Sequence, residues 1–449
     1  MLLTCNCCKK RRSLQKIINI NSHSLRRYFV NTSWLMAERV LRMIVALFVG
    51  VYVARYLGPE RFGVLSYASS FVGLFTALAT VGLDGIMVRE LVKMPEHKDE
   101  LLGTAFWLKA GGAILMWICI ATSILFINND TQTNIIIAII AFGVIFQAVN
   151  VIDLNYQAEV KSKFVVWAQV VQLVVSSMAK LILIWLTAPL VWFACVFVLD
   201  AVVLAAGLAA LHLTHTGKVW HWTCRWQTAR VLLKDSWPLL FSGMVISIYM
   251  KIDQVMIKEM LDTSQVGLYA AAVRLSEAWH FIPMAITSSV FPAILNARKQ
   301  SEDLYYERLQ QLYDLMVWLA VAIALPTTFL APWVIRVLYG EAFLPASGVL
   351  SIHIWAGIFS FLGIANGRWI ITENMQRIAI IRSSAGAMTN VALNIVLIPK
   401  YGINGAATAT FFSVFVASHF AFLFINKSKK VFMMQNKSFF RPVLWMMGK

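Results

Sequence analysis

Charge is scarce in this chain of 449 residues: only 14% are Asp, Glu, Lys or Arg. Soluble domains carry about 25%, and a chain of this length needs a charged surface to stay in water. The shortage excludes a soluble enzyme, a disordered chain and a fibrous repeat. Catalytic and nucleotide-binding motifs are lacking as well. There is no Walker loop, no G-x-G-x-x-G fingerprint, no H-E-x-x-H and no G-x-S-x-G elbow, so ATP does not drive the chain directly and neither cofactor nor metal is expected. The 6 cysteines form no framework. Cys5, Cys7 and Cys8 crowd the N-terminus while Cys119, Cys195 and Cys224 stand alone, without the second ligand pair of a zinc site. Residues 1–32 hold no apolar signal region, so the first membrane segment is expected to act as the targeting signal.

What is present is apolar length. Hydrophobic residues make up 59% of the chain and the mean hydropathy is +0.70. A membrane-crossing helix needs about 20 apolar residues. Runs between charged or turn-rich punctuation predict twelve of them, at 33–57, 64–86, 105–127, 134–154, 164–186, 190–212, 237–257, 267–292, 312–336, 347–371, 378–399 and 404–425. The reading is an all-α integral membrane protein of about twelve transmembrane helices. The pair at 164–212 is divided only by Ala188-Pro189, which leaves a single re-entrant feature open there.

The net charge of +17 does not suggest nucleic acid, because the basic residues are interrupted by long apolar runs. They sort instead to one side. With a cytoplasmic N-terminus, only Arg55, Arg61, Lys258, Arg336 and Lys400 fall in outward connections, and most of the others fall in inward loops and the two tails, as positive-inside insertion requires. Both termini are therefore expected in the cytoplasm. The basic run Lys9-Lys10-Arg11-Arg12 reads as a topology anchor that can also meet anionic membrane lipid.

The halves are related. Leu57-Gly-Pro-Glu-Arg-Phe-Gly63-Val-Leu-Ser-Tyr-Ala68 and Leu261-Asp-Thr-Ser-Gln-Val-Gly267-Leu-Tyr-Ala-Ala-Ala272 share Leu, Gly and Ala at a common offset of 204 residues, at equivalent places in the topology. The expected organisation is a basic N-tail (1–32), a six-helix lobe (33–212), a cytoplasmic linker (213–236), a second six-helix lobe (237–425) and a basic C-tail (426–449). Parallel repeats of this kind place a substrate path between the lobes.

An ionisable group at mid-bilayer costs about 2.5–3.5 kcal/mol on insertion scales, so each deep one calls for a partner or water. Lys109, Asp153, Asp314, Arg368 and Arg382 lie near inner helix ends, where long side chains reach the interface. The deeper set is more telling. Glu38, Arg39 and Arg42 share one face of the first span, and self-pairing of Glu38 with Arg42 leaves Arg39 unmatched. Lys251 and Asp253, two residues apart, point in different directions. Arg274, Glu277 and His280 form a polar stripe at spacings of three. Lys180 and Asp200 read as a pair between neighbouring spans. A cavity with surplus arginine suits phosphate, because guanidinium offers two parallel donors and keeps its charge. His280 titrates near neutral pH when solvated, or serves as a hydrogen-bonded core residue.

Several runs resemble a known family. Tyr56-Leu57-Gly58-Pro59-Glu60-Arg61-Phe62-Gly63-Val64-Leu65-Ser66-Tyr67-Ala68 is similar to the first-loop signature of polysaccharide-transport flippases of the O-antigen, or Wzx, type. Gly82-Leu83-Asp84-Gly85 with Arg89-Glu90 resembles the end of their second span. Asp253-Gln254-Val255-Met256-Ile257 with Gly267-Leu268-Tyr269 is similar to their seventh and eighth, and Pro399-Lys400-Tyr401-Gly402-Ile403-Asn404-Gly405-Ala406-Ala407 to the turn into their last. The resemblance covers roughly residues 25–425. It implies the multidrug/oligosaccharidyl-lipid/polysaccharide exporter superfamily, a V-shaped pair of lobes and alternating access. It also implies a non-enzymatic flippase of undecaprenyl-diphosphate-linked oligosaccharide in a bacterial inner membrane, alongside polysaccharide polymerase and chain-length machinery. Arg39, Arg42, Arg274 and Lys251 are the substrate-binding candidates. Glu38, Asp253, Glu277 and His280 are the coupling or charge-balancing candidates. A multidrug exporter of the same fold and a membrane-embedded glycan polymerase or ligase are the alternatives.

Overall fold

The computed structural model describes the backbone of residues 5–446 apart from 217–221, 374 and 425–427. Side chains are described from residue 34 on, except 35, 215–221, 371, 374, 376, 377, 425–427 and 441–449. The side chains of Lys9–Arg12, the three clustered cysteines and Lys218 thus lie outside the described residues. The described residues form fourteen α-helices and no strand: α1 (Cys5–Thr80), α2 (Asp84–Lys93), α3 (Lys98–Ile124), α4 (Thr131–Val144), α5 (Val151–Ala158), α6 (Ser162–Trp185), α7 (Leu190–Thr216), α8 (Trp226–Met260), α9 (Thr263–Glu277), α10 (Phe281–Gln300), α11 (Glu302–Tyr339), α12 (Ala346–Thr372), α13 (Gln376–Ser418) and α14 (Lys429–Met446).

Ten stretches among these residues are long and apolar enough to cross a membrane. Two are long enough for two crossings. The stretch Met36–Lys93 has 58 residues, about 87 Å if straight, nearly three times the hydrocarbon thickness. It breaks at Gly58, whose φ of 72° and ψ of 171° no helix contains. Ile378–Leu423 breaks likewise at Gly402 (φ 60°, ψ −141°). Counting each broken stretch as two gives the twelve crossings. Residues 162–185 and 190–216 are separate helices of 24 and 27 residues, each long enough to span, so the break at Ala188-Pro189 joins two crossings rather than forming a re-entrant loop.

The apolar cores define the shape. One core is shared by both halves. It joins Val51, Phe62 and Phe71 of α1 to Ile140 of α4, Leu268 and Ala272 of α9, Ile335 of α11 and Ile403 of α13. All of these lie toward the face that carries the turns at Gly58, Leu261 and Gly340. On the opposite face, which carries both tails, the core divides. Leu101, Ile152 and Leu208 gather in the N-terminal half with Leu232 of α8, while Leu312, Phe361 and Phe422 gather in the C-terminal half. Two halves joined by a common core at one face and separate cores at the other make a V that widens toward the tail face.

The apex of the V is a backbone contact. Gly63 and Gly267, one in each half, stand 204 residues apart and face each other. A Cβ at Gly63 would lie 2.9 Å from Gly267 N and collide with the Thr263 carbonyl. A Cβ at Gly267 would lie 3.0 Å from Gly63 N and collide with the Pro59 carbonyl. Pro59 and Thr263 are separated by the same 204 residues, so the contact is reciprocal. Around it Ser70 Oγ donates to Gln254 Oε1 at 2.8 Å and Tyr67 OH to Glu259 Oε1 at 3.2 Å.

The segments read from the sequence as linker and C-tail contain helix. Residues 226–236 are the first turns of α8, with Ala229, Leu232 and Ser236 buried. An ion pair from Arg89 Nη2 to Asp235 Oδ2 at 2.6 Å holds them to the N-terminal half. Residues 429–446 form α14, which packs on α11 through buried Val431, Met434, Gln435 and Ser438. Their spacing of three, four and seven is one face of a helix, a pattern masked in the sequence by the lysines around it.

Backbones this close leave no space for a methyl group. In membranes, the disulfide between cysteines placed at Ser70 and Gln254 should form readily in the parent and severalfold less when Gly63→Ala or Gly267→Ala is added. Unchanged cross-linking would mean that the turn face does not depend on the glycine pair.

Candidate functional site

Between the lobes, α1, α6, α7 and α9 enclose a cavity of about 390 Å³ lined by Gly50, Phe62, Ser176, Lys180, Arg274 and Glu277 among others. Arg274 lies near the middle of a crossing, yet its side chain and that of Glu277 are exposed, because they open into this cavity. The guanidinium rests on the ring of Phe62, 4.9 Å from its centroid, a favourable cation–π placement away from bulk water. Room for it comes from Gly50, where an added Cβ would stand 2.8 Å from Nη1. Lys180 shares the cavity, its Nζ 3.5 Å from Ser176 Oγ. Two cations therefore face one carboxylate, leaving an excess positive charge among apolar walls. Such a charge balance suits an anion with oxygen acceptors.

The first-span charges are placed differently. Glu38 is buried and holds Arg42, Nε to Oε1 at 2.6 Å. Arg42 also donates to Gln172 Oε1 at 3.2 Å and to the Gln169 carbonyl at 3.4 Å, tying α1 to α6. Arg39 is exposed and makes no ion pair among the described residues. Neither arginine lines the cavity of Arg274. Met43, next to Arg42, does line it, and Arg42 lies about 12 Å along the helix from Gly50, toward the tail face.

Lys251 and Asp253 diverge as their spacing predicts. Lys251 crosses to the N-terminal half and packs against Gly73, with Cγ 3.4 Å from where a Cβ would be. It lines a second cavity, of about 490 Å³, with Asp200, Gln147 and Asn150. Lys180 and Asp200 make no direct salt bridge among the described residues but attract each other at longer range, and Asp200 also lines the cavity of Lys251.

Asp253 points into the C-terminal half and is buried. It accepts from Tyr269 OH at 2.7 Å, Asn394 Nδ2 at 2.7 Å and Thr410 Oγ1 at 2.5 Å. A small cavity of about 100 Å³ joins it to Glu277, His280 and His353. His280 packs edge-on to Phe361 at 6.2 Å, and His353 Nδ1 lies 2.9 Å from Ser276 Oγ. Glu277 lines both this cavity and that of Arg274, so it is the side chain through which the two communicate.

Gly50, His353, Asn390, Asn394 and Thr410 were not legible in the sequence as site residues. Only Asn390 and Asn394, four apart in an apolar run and bonded to each other at 3.1 Å, left a signal that helical spacing could reveal. Lys109 does not reach the interface as its position suggested. It is 4% exposed and ion-paired with Asp84 at 2.5 Å, because α3 turns it into the bundle. Gly50→Val should lower thermal stability in the parent chain, and clearly less when Arg274→Ala has vacated the space. Equal losses in both backgrounds would mean that the glycine makes room for something else.

The sequence profile of the family described as "Polysaccharide biosynthesis protein" matches residues 29–298. Two proteins of Haloferax volcanii are similar in part. One, described as "Probable low-salt glycan biosynthesis flippase Agl15", is 25% identical over 166 residues, 36% of this chain and 34% of that protein. The other, "Probable flippase AglR", is 26% identical over 180 residues, 38% of this chain and 36% of that protein. The alignments span about a third of each relative's length. Among solved structures, the lipid II flippase MurJ in an inward closed conformation superposes with a TM-score of 0.70 at 16% identity, covering 92% of this chain and 93% of that one. An inward-facing multidrug resistance MATE transporter superposes with a TM-score of 0.68 at 13% identity, covering 88% and 96%. These likenesses show the fold of the two-lobed exporters. With the profile matching more than half of its residues, the chain belongs to the polysaccharide biosynthesis protein family.

Proposed function

We propose that this protein is a flippase that carries an oligosaccharide linked to undecaprenyl diphosphate across a bacterial cell membrane by alternating access, for surface polysaccharide of the O-antigen kind. The observation that carries this reading is the cavity between the lobes, where Arg274 and Lys180 face the single carboxylate of Glu277. A diphosphate needs fixed cationic donors in a site shielded from water. Family membership and the descriptions of the Haloferax relatives support a glycan-lipid substrate.

In this mechanism the tail face is cytoplasmic, in keeping with the basic residues gathered there. The substrate enters the wide end of the V. Arg39 meets the diphosphate near the mouth and Arg274 with Lys180 holds it at depth. Arg42, neutralised by Glu38, positions the α1 arm. Release to the other leaflet requires the Gly63–Gly267 apex to part while the tail-face ends close. Glu277, facing both the anion cavity and the pocket of Asp253 and His280, couples substrate charge to the C-terminal lobe, and Lys251 balances Asp200. The product passes to polymerase and chain-length machinery. No step makes or breaks a covalent bond.

Arg274→Ala should abolish surface-glycan export with protein level near that of the parent, and Arg274→Lys should recover only part of it, since Lys keeps the charge without the two-pronged donor. Gene deletion should leave susceptibility to cationic dyes unchanged. Normal glycan export by the Ala variant, or dye sensitivity as the main effect of deletion, would favour a drug exporter of the same fold. Topology is tested separately. Reporter fusions after Asn129 and Glu341 should report the outside and those after Lys98 and Lys218 the inside, and a consistent reversal would invert the proposed direction.

A further inference from the structure

The described arginines near the tail face of the C-terminal half have partners, with one exception. Arg298 pairs with Glu373 at 3.0 Å and covers Tyr305. Arg308 donates to Gln311 Oε1 at 3.1 Å. Arg368 donates to Ser288 Oγ at 3.1 Å and covers Phe291. Arg382, in the second turn of α13, has a buried Nε without a hydrogen-bond partner and no ion pair among the described residues. Gly363 of α12 lies beside it, an added Cβ there standing 3.8 Å from Nη1 and 2.6 Å from Ser418 Oγ, and Tyr249 and Tyr313 lie within electrostatic reach.

A guanidinium stays charged at any physiological pH. A charge held in a membrane protein without a counter-charge is expensive, and a ligand that supplies the missing charge removes the expense. The rest of the Arg382 side chain is only partly covered. Tyr249, beside it, lines the small cavity that also holds Asp253 and Glu277. Arg382, in the second turn of α13, stands nearer the tail face than that cavity.

We infer that Arg382 is a second phosphate-binding residue, which receives the anionic headgroup of an incoming lipid before it reaches Arg274. The inference rests on the reading that the substrate carries a diphosphate. A resident phospholipid offers the same phosphate chemistry, and the test separates the two sources.

The full chain, in nanodiscs of phosphatidylcholine, is assayed for thermal unfolding and for binding of farnesyl diphosphate, inorganic diphosphate and added phosphatidylglycerol. Arg382→Gln should leave the unfolding midpoint unchanged or raise it, because it removes an uncompensated charge. It should also weaken farnesyl diphosphate binding by about tenfold or more, with partial recovery in Arg382→Lys. Competition by inorganic diphosphate would show that the headgroup suffices. A loss confined to phosphatidylglycerol would keep the phosphate site and assign it to resident lipid. If Arg382→Gln lowers the midpoint and leaves all three affinities unchanged, or weakens them without recovery in Arg382→Lys, the residue is structural and the inference falls. Arg274→Gln distinguishes the two readings. Normal export by that variant, with binding still lost in Arg382→Gln, would overturn the transport mechanism alone. The opposite pattern would overturn only the role of Arg382.

Discussion

Two glycines pressed backbone to backbone set the geometry on which everything else depends. Where Gly63 and Gly267 meet, the lobes approach more closely than any side chain allows, and van der Waals contact rather than hydrophobic exclusion holds them, as expected where lipid is as apolar as the helices. Because the contact is reciprocal and confined to one face, it acts as an apex. The shared core forms around it and the tail-face cores are left apart. The cavity of Arg274 lies between the lobes beside this apex.

The polar lining is divided between the lobes rather than concentrated. The proposed anion site lies between them, at Arg274 and Lys180. The C-terminal half holds a separate network of Asp253, Tyr269, Asn394 and Thr410, in which the acid has hydrogen-bond donors and no ion pair among the described residues. The N-terminal half interrupts its fourth crossing with a 3₁₀ stretch, Ile145–Asn150, whose Gln147 and Asn150 line two polar cavities. Irregular backbone at membrane depth is tolerated where it borders such a cavity. Glu277 alone touches both the central anion site and the C-terminal network, so a change in charge at one is felt at the other.

Composition and helical period by themselves determined the all-helical membrane fold, the twelve crossings and the stripe of Arg274, Glu277 and His280, because crossing length and same-face spacing are properties of one helix at a time. The 204-residue offset marked the related turns before their contact was visible. Self-pairing of Glu38 with Arg42 was legible for the same reason, as residues four apart meet on any helix. Tertiary structure decided what local spacing does not contain. Packing placed Lys180 in one cavity with Arg274 and Lys251 in another with Asp200, so the pair that adjacent spans suggested acts at longer range. Packing turned the lysine-rich C-terminal segment into α14, since its buried face has meaning only against α11. It also enclosed the Nε of Arg382 without a hydrogen-bond partner among the described residues, because what surrounds a side chain depends on helices far away in sequence.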